Sequence, residues 1–219
     1  DDRIERIVFS ELIPEEGDWF VDLGCAHGRL TDIYRKRFKQ CVLLDYSLKH
    51  LKFAVEKWGD AGNIFFIAAD IYRLPFKPES IDAITMVRVL HHLEAPDVAL
   101  REVSGILTNE GTLITNYRNR RDLRNMLRFA LGLSHNRPFR LAHDDPSGEN
   151  KLQAYTHPRF ARNMLESAGF RIKRVRGTSF FGGKMLRLLS NPAGIEAPLS
   201  GLLGRFQLSP LIFVEAQLA

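Results

Sequence analysis

Cysteine is scarce: the 219-residue chain has two, Cys25 and Cys41. Their spacing fits no metal site and both fall in apolar stretches, so the expectation is buried free thiols in a reducing compartment. Long apolar runs are also missing. No stretch approaches the roughly 18 to 20 apolar residues of a membrane-spanning helix. Internal repeats and low-complexity segments are absent. An initial methionine is lacking too: the chain opens DDRIER, as a trimmed sequence would.

What is present belongs to a globular protein. Apolar residues make up 45% and charged residues 26%, enough for one sizeable core in 25.0 kDa. The net charge of +5 hides an asymmetry. Up to Tyr117 there are 14 Lys/Arg against 19 Asp/Glu; from Arg118 onward there are 17 against 7. An acidic part followed by a basic part points to different tasks for the two, although a basic face can simply be solvated.

Apolar runs alternate with helical periods. Expected strands are Trp19–Leu23, Cys41–Leu44, Asn63–Ala69, Ile81–Val87 and Thr112–Thr115. Expected helices between them are Leu30–Arg37, Leu48–Trp58 and Val98–Leu107. After a long interruption come a helix, Pro158–Ser167, stopped by Gly169, and two last strands, Phe170–Val175 and Leu211–Leu218. Strands apolar on both faces and separated by helices predict one α/β domain over 1–219. Its doubly wound, mostly parallel, Rossmann-like sheet would have seven strands, helices on both faces and a last antiparallel strand.

In such a sheet the ligand lies at the carboxyl ends of the strands, which places Asp22, Asp45 and Asp70 along one edge. A phosphate site should not collect carboxylates. The dinucleotide pattern G-x-G-x-x-G is broken as well: Gly24 and Gly28 are there, but Ala26 and Arg29 interrupt it. No G-K-[ST] follows. The edge suits a nucleoside with a cationic tail, Asp45 standing where an acid can hold two ribose hydroxyls. Ala26 fits without strain if its φ is negative and costs of order 1 kcal/mol if φ is positive.

The runs VDLGCAHGRL, LLDYS and AADIYRLPFKPESIDAITMVRVLHHLEAPDVALREVSGILTNEGTLI resemble the class I S-adenosylmethionine-dependent methyltransferases. Their bacterial small-molecule subgroup, which includes quinone-biosynthesis enzymes, is the most similar. The resemblance covers residues 15–117 and resumes at YTHPRFARNMLESAGFRI. It implies S-adenosylmethionine as cofactor and methyl transfer by in-line displacement, with no metal. Asp22 would orient the methionine amino group, and Gly24, Cys25, Ala26 and Gly28 would form the loop beneath it. Asp45 would hold the ribose and Tyr46 would lie along the adenine. Asp70 and the Ile71 backbone would read the adenine edge, and the backbone at Val87 and Arg88 would face the methionine moiety. His91 and His92 are candidate bases.

Plainer readings stand beside these. Asp22 and Asp70 are good caps for a following turn, and the adjacent histidines can pack at a helix start. The segment 118–154 is expected to be a helical lid and 184–209 a helical cap. In RRDLRNMLRFALGL, Leu123, Met126, Leu127, Ala130 and Leu131 share one helical face, and Arg121, Arg124 and Arg128 the opposite one. Those arginines, with Tyr117 and Tyr155, are the acceptor candidates. The implied partner is a small-molecule acceptor, anionic or membrane-associated, for a cytoplasmic protein that can touch a membrane surface. RNA ranks below, for want of a G-F-x-F-like stacking motif. Two other functions stay open: a cofactor-binding partner or regulatory subunit with no transferase activity, and an RNA methyltransferase.

Overall fold

A computed structural model describes residues 2–146, 153–178 and 207–219. The elements run α1 (Asp2–Leu12), β1 (Gly17–Leu23), α2 (Thr31–Tyr34), β2 (Phe38–Asp45), α3 (Leu48–Trp58), β3 (Ile64–Ala68) and β4 (Ile81–Met86). They continue with α4 (Pro96–Ile106), β5 (Leu107–Arg118), α5 (Leu123–Ala130), β6 (His143–Asp144), β7 (Tyr155–Thr156), α6 (Pro158–Ser167), β8 (Phe170–Thr178) and β9 (Leu211–Leu218). Among the described residues, no helix is long and apolar enough to cross a membrane.

Seven strands form one sheet in the order β3-β2-β1-β4-β5-β9-β8. The five strands from β3 to β5 are parallel, and β9 runs antiparallel between β5 and β8. The expected doubly wound sheet is therefore the one observed. Its strands are apolar on both sides because each side carries helices. Val21, Leu23, Val42 and Leu44 face a core with Leu100 and Val103 of α4 and Met164 and Leu165 of α6. Phe20, Cys41 and Leu43 face the other, with Phe9 and Leu12 of α1, Tyr34 of α2 and Leu51 of α3. Both cysteines are free and buried, and burial pushes the Cys41 thiol up to about 12.

Several elements differ from expectation. The helix expected over Leu30–Arg37 closes after Tyr34, because Arg37 turns away to donate to Ser10 and Ile13 and the chain enters β2 at Phe38. The fifth strand extends well beyond Thr112–Thr115, since β9 pairs with it as far as Arg118. Helix α1 was not anticipated; its apolar face completes one core, and Glu5 is buried with it. Among its described residues the lid segment, 118–154, holds one short helix, α5, and the two-residue strand β6, which pairs with β7 just beyond it. Most of the expected cap, 184–209, lies outside the described residues.

Candidate active site

Strand β1 ends at Gly24, whose φ of +70° turns the chain out of the sheet. The amides of Gly24 and Cys25 both donate to the Leu44 carbonyl, at 2.8 and 3.1 Å, seating the loop on the end of β2. Asp45 finishes that seat. Its Oδ2 accepts the Ala26 amide at 2.9 Å and its Oδ1 the Ser47 amide at 2.8 Å. The carboxylate expected to hold a ribose thus also shapes the loop, and each oxygen keeps lone pairs for a further donor.

The glycines have reasons of their own. A Cβ on Gly24 would stand 2.6 Å from Val89 Cγ2, and one on Gly28 2.7 Å from Trp58 Nε1 and Thr31 Oγ1. Both have positive φ, so they keep the backbone clear of protein side chains, whatever they do for a ligand. Ala26 has φ +49°, the strained alternative. The hydrogen bond from its amide to Asp45 holds it there.

The carboxyl ends of β1, β2, β3 and β4 enclose a crevice of about 740 Å³. Ten of the eleven expected cofactor residues line it: Asp22, Gly24, Cys25, Ala26, Asp45, Tyr46, Asp70, Ile71, Val87 and Arg88; Gly28 belongs to the same loop but does not line the crevice. Tyr46 is exposed. Asp70 accepts the Tyr72 amide at 3.0 Å, so the capping reading of that residue holds. Asp22 is buried and accepts the Tyr34 hydroxyl at 2.9 Å. Burial raises its pKa to about 7, against the lowering pull of Tyr34 and Arg29. A buried carboxyl in that state favours a cation beside it.

The loop after β4 is also strained. Arg88 has φ +62° and is held by its amide, which donates to Asn116 Oδ1 at 2.7 Å. Its guanidinium pairs with Glu5, which also takes Arg29 at 3.0 Å. A buried carboxylate on α1 therefore fixes two arginines on the crevice rim. Sequence reasoning missed this contact, because nothing local signals a partner 83 residues away.

A second cavity of about 380 Å³ adjoins the first, and Arg88 and His92 line both. Among the described residues, Glu5, His91, Arg118 and Arg124 line it as well. Arg118 stacks on the Tyr155 ring at 4.5 Å and donates to its hydroxyl at 3.0 Å, an arginine the sequence did not single out. His91 and His92 sit on a 3-10 turn with ring centroids 4.1 Å apart. Burial, then His92, Arg118, Arg88 and His143, lower the His91 pKa to about 3. Its Nδ1 is buried without a hydrogen-bond partner.

The other acceptor candidates separate. Tyr117 is buried in the core against α6 and Ile212, where burial raises its phenol pKa. Of the three arginines only Arg124 lines the cavity, because α5 begins after Arg121, at the Asp122 cap, and Arg128 is exposed. The apolar stripe does not pack inward: Asn125 is the buried residue of α5, while Leu127 and Leu131 are exposed.

Residues 21–115 match the family model described as a methyltransferase domain. A putative S-adenosylmethionine-dependent methyltransferase from Listeria monocytogenes superposes with a TM-score of 0.70 over 100% of both chains, at 15% identity. The fold is the class I methyltransferase fold. An uncharacterized protein of Methanocaldococcus jannaschii, MJ1252, is 35% identical over 54% of this chain and 45% of its own length. A demethylmenaquinone methyltransferase of Renibacterium salmoninarum is 30% identical over 51% of this chain and 46% of its own. The chain thus spans about half, or less, of these relatives' length.

Proposed function

We propose that this domain transfers a methyl group from S-adenosylmethionine to a small anionic acceptor. One observation carries the reading: an acid-lined crevice and a separate arginine-lined cavity meet at Arg88 and His92. The crevice fits the cofactor. It offers carboxylates at three successive strand ends and the buried, cation-seeking Asp22. When bound, S-adenosylmethionine supplies an electrophilic methyl on a good leaving group.

The chain's residues then align the partners and exclude water. Asp45 and the Ala26 loop hold the nucleoside end, and Asp22 the cationic end. The acceptor's lone pair forms the new bond to the methyl carbon as the sulfur–carbon pair returns to sulfur. His91, with its pKa near 3, is a poor base and stays a neutral neighbour. Arg118 and Arg124 instead favour an acceptor that is already ionised. The Renibacterium relative, by its name, acts on a small molecule, which supports a small-molecule acceptor here.

Calorimetry with S-adenosylmethionine, and labelled methyl offered with phenols, carboxylates and neutral analogues, tests this. Binding without added metal and transfer to ionised acceptors is expected, with Arg118→Gln raising KM more than it lowers kcat. Lack of cofactor binding overturns the reading. Equal transfer to neutral analogues removes its anionic part.

A further inference from the structure

We infer that the segment from α5 to Leu141 is a docking surface for an anionic lipid bilayer, independently of the methyl-transfer reading. Helix α5 is built inside out. Its inward position is Asn125, whose Nδ2 donates to the carbonyls of Arg120 at 2.7 Å and Asn136 at 2.9 Å, and whose Oδ1 accepts from Ser134. That polar anchor folds residues 123–136 into one tied excursion and turns the large apolar side chains outward. Leu127 is 58% exposed, Leu131 72%, Leu133 64%, Phe139 66% and Leu141 55%, with Phe129 beside them. Monomeric surfaces rarely collect so many large apolar groups without an occupant.

Charge identifies the occupant. Between Leu123 and His143 there are four arginines and no acidic residue. Arg140 pairs with Asp144 at 3.0 Å, and Arg124 lies 3.8 Å from Asp122. Arg128 and Arg137 have no carboxylate partner among the described residues. A second copy would bring arginines against arginines, which disfavours self-association through this face. Leucine outnumbers phenylalanine four to two among the outward apolar groups, and leucine offers no stacking platform to nucleic acid. Apolar side chains for the acyl boundary beside arginines with no carboxylate partner among the described residues match an anionic membrane surface. Arg124, at the start of this segment, also lines the arginine-lined cavity, so docking would set that cavity close to the lipid.

Flotation of the whole protein with vesicles tests the assignment. It should bind phosphatidylcholine vesicles containing phosphatidylglycerol, bind pure phosphatidylcholine weakly, and release as salt rises. The variant Leu131→Ser/Leu133→Ser/Phe139→Ser should lose about tenfold or more in partitioning while keeping its cofactor affinity and melting temperature. Arg128→Gln/Arg137→Gln should lose about fivefold per arginine and much of the salt dependence. No flotation of the parent overturns the proposal, as does unchanged flotation of the serine variant. Concentration-dependent dimers that the serine variant abolishes, or tighter binding to an RNA homopolymer than to vesicles, assign the face to another occupant and overturn it equally.

Discussion

The edge of the parallel strands and the segment that follows β5 solve opposite problems. Along β1 to β4, acidic side chains gather at strand ends, and backbone amides and buried hydroxyls hold them in place. From Arg118 to Thr156 the charge is basic, the described elements are short, and buried polar groups stand where apolar ones would be expected. The first region draws its order from the sheet and can spend its carboxylates on a ligand. The second draws its order from Arg120 and Asn125, which leaves apolar side chains free to face outward.

The largest effect should come from breaking the second region's anchor. Arg120 is buried, pairs with Asp144 and donates to the Tyr155 carbonyl at 3.3 Å. Arg120→Ala removes a large buried side chain and its bonds to the Asp144 and Tyr155 carbonyls, leaving Asp144 with Arg140, and should cost about 3 kcal/mol of stability in denaturant unfolding. Cofactor affinity should stay within about twofold, because the crevice draws no residue from beyond Glu94 among those described. A large loss of affinity would show that the two regions are not independent.

Asp45→Ala attacks the first region. It removes the acceptor for Ala26 and Ser47 together with the expected ribose contact, so affinity should fall by about 2 kcal/mol. Unchanged binding in calorimetry would unseat the crevice as the cofactor site.

A pH series sharpens the same region. Asp22 has a pKa near 7 in the folded protein, against 3.8 ordinarily. Its folded form therefore holds a proton over that window, and its contribution to stability is lost as pH rises from about 4 towards 7. A cationic ligand binds the ionised form, so affinity should rise with pH through 7 and be about tenfold weaker at pH 6 than at its plateau. Asp22→Asn should abolish this dependence, weaken binding, and stabilise the empty protein at pH 8 by of order 1–3 kcal/mol. A pH-independent affinity in the parent would remove Asp22 from the cation's environment.

The smallest effect concerns Ala26. With φ at +49°, glycine relieves strain, so Ala26→Gly should gain up to about 1 kcal/mol less a few tenths for unfolded-state entropy. Affinity should hold or improve slightly. Loss of affinity beyond about tenfold would show the alanine methyl to be a required contact.

Why one region was legible and the other was not follows from their physics. Helix Leu48–Trp58 and strand Leu211–Leu218 appear with the expected bounds, because apolar periodicity is a local pattern that burial on two faces enforces. Motif order placed Asp22, Asp45 and Asp70 on one edge, because parallel strands all end on the same side of the sheet. Which face of helix α5 turns inward was not legible, because an apolar stripe does not reveal that Asn125 has two carbonyls to satisfy. The amino-acid order alone thus determined the sheet and the acidic row at its carboxyl edge. Tertiary structure alone decided that Glu5 clamps Arg29 and Arg88, that Arg118 joins a second cavity, and that Tyr117 belongs to the core. Those outcomes depend on contacts between distant segments, and such contacts form only once the sheet has fixed where each segment lies.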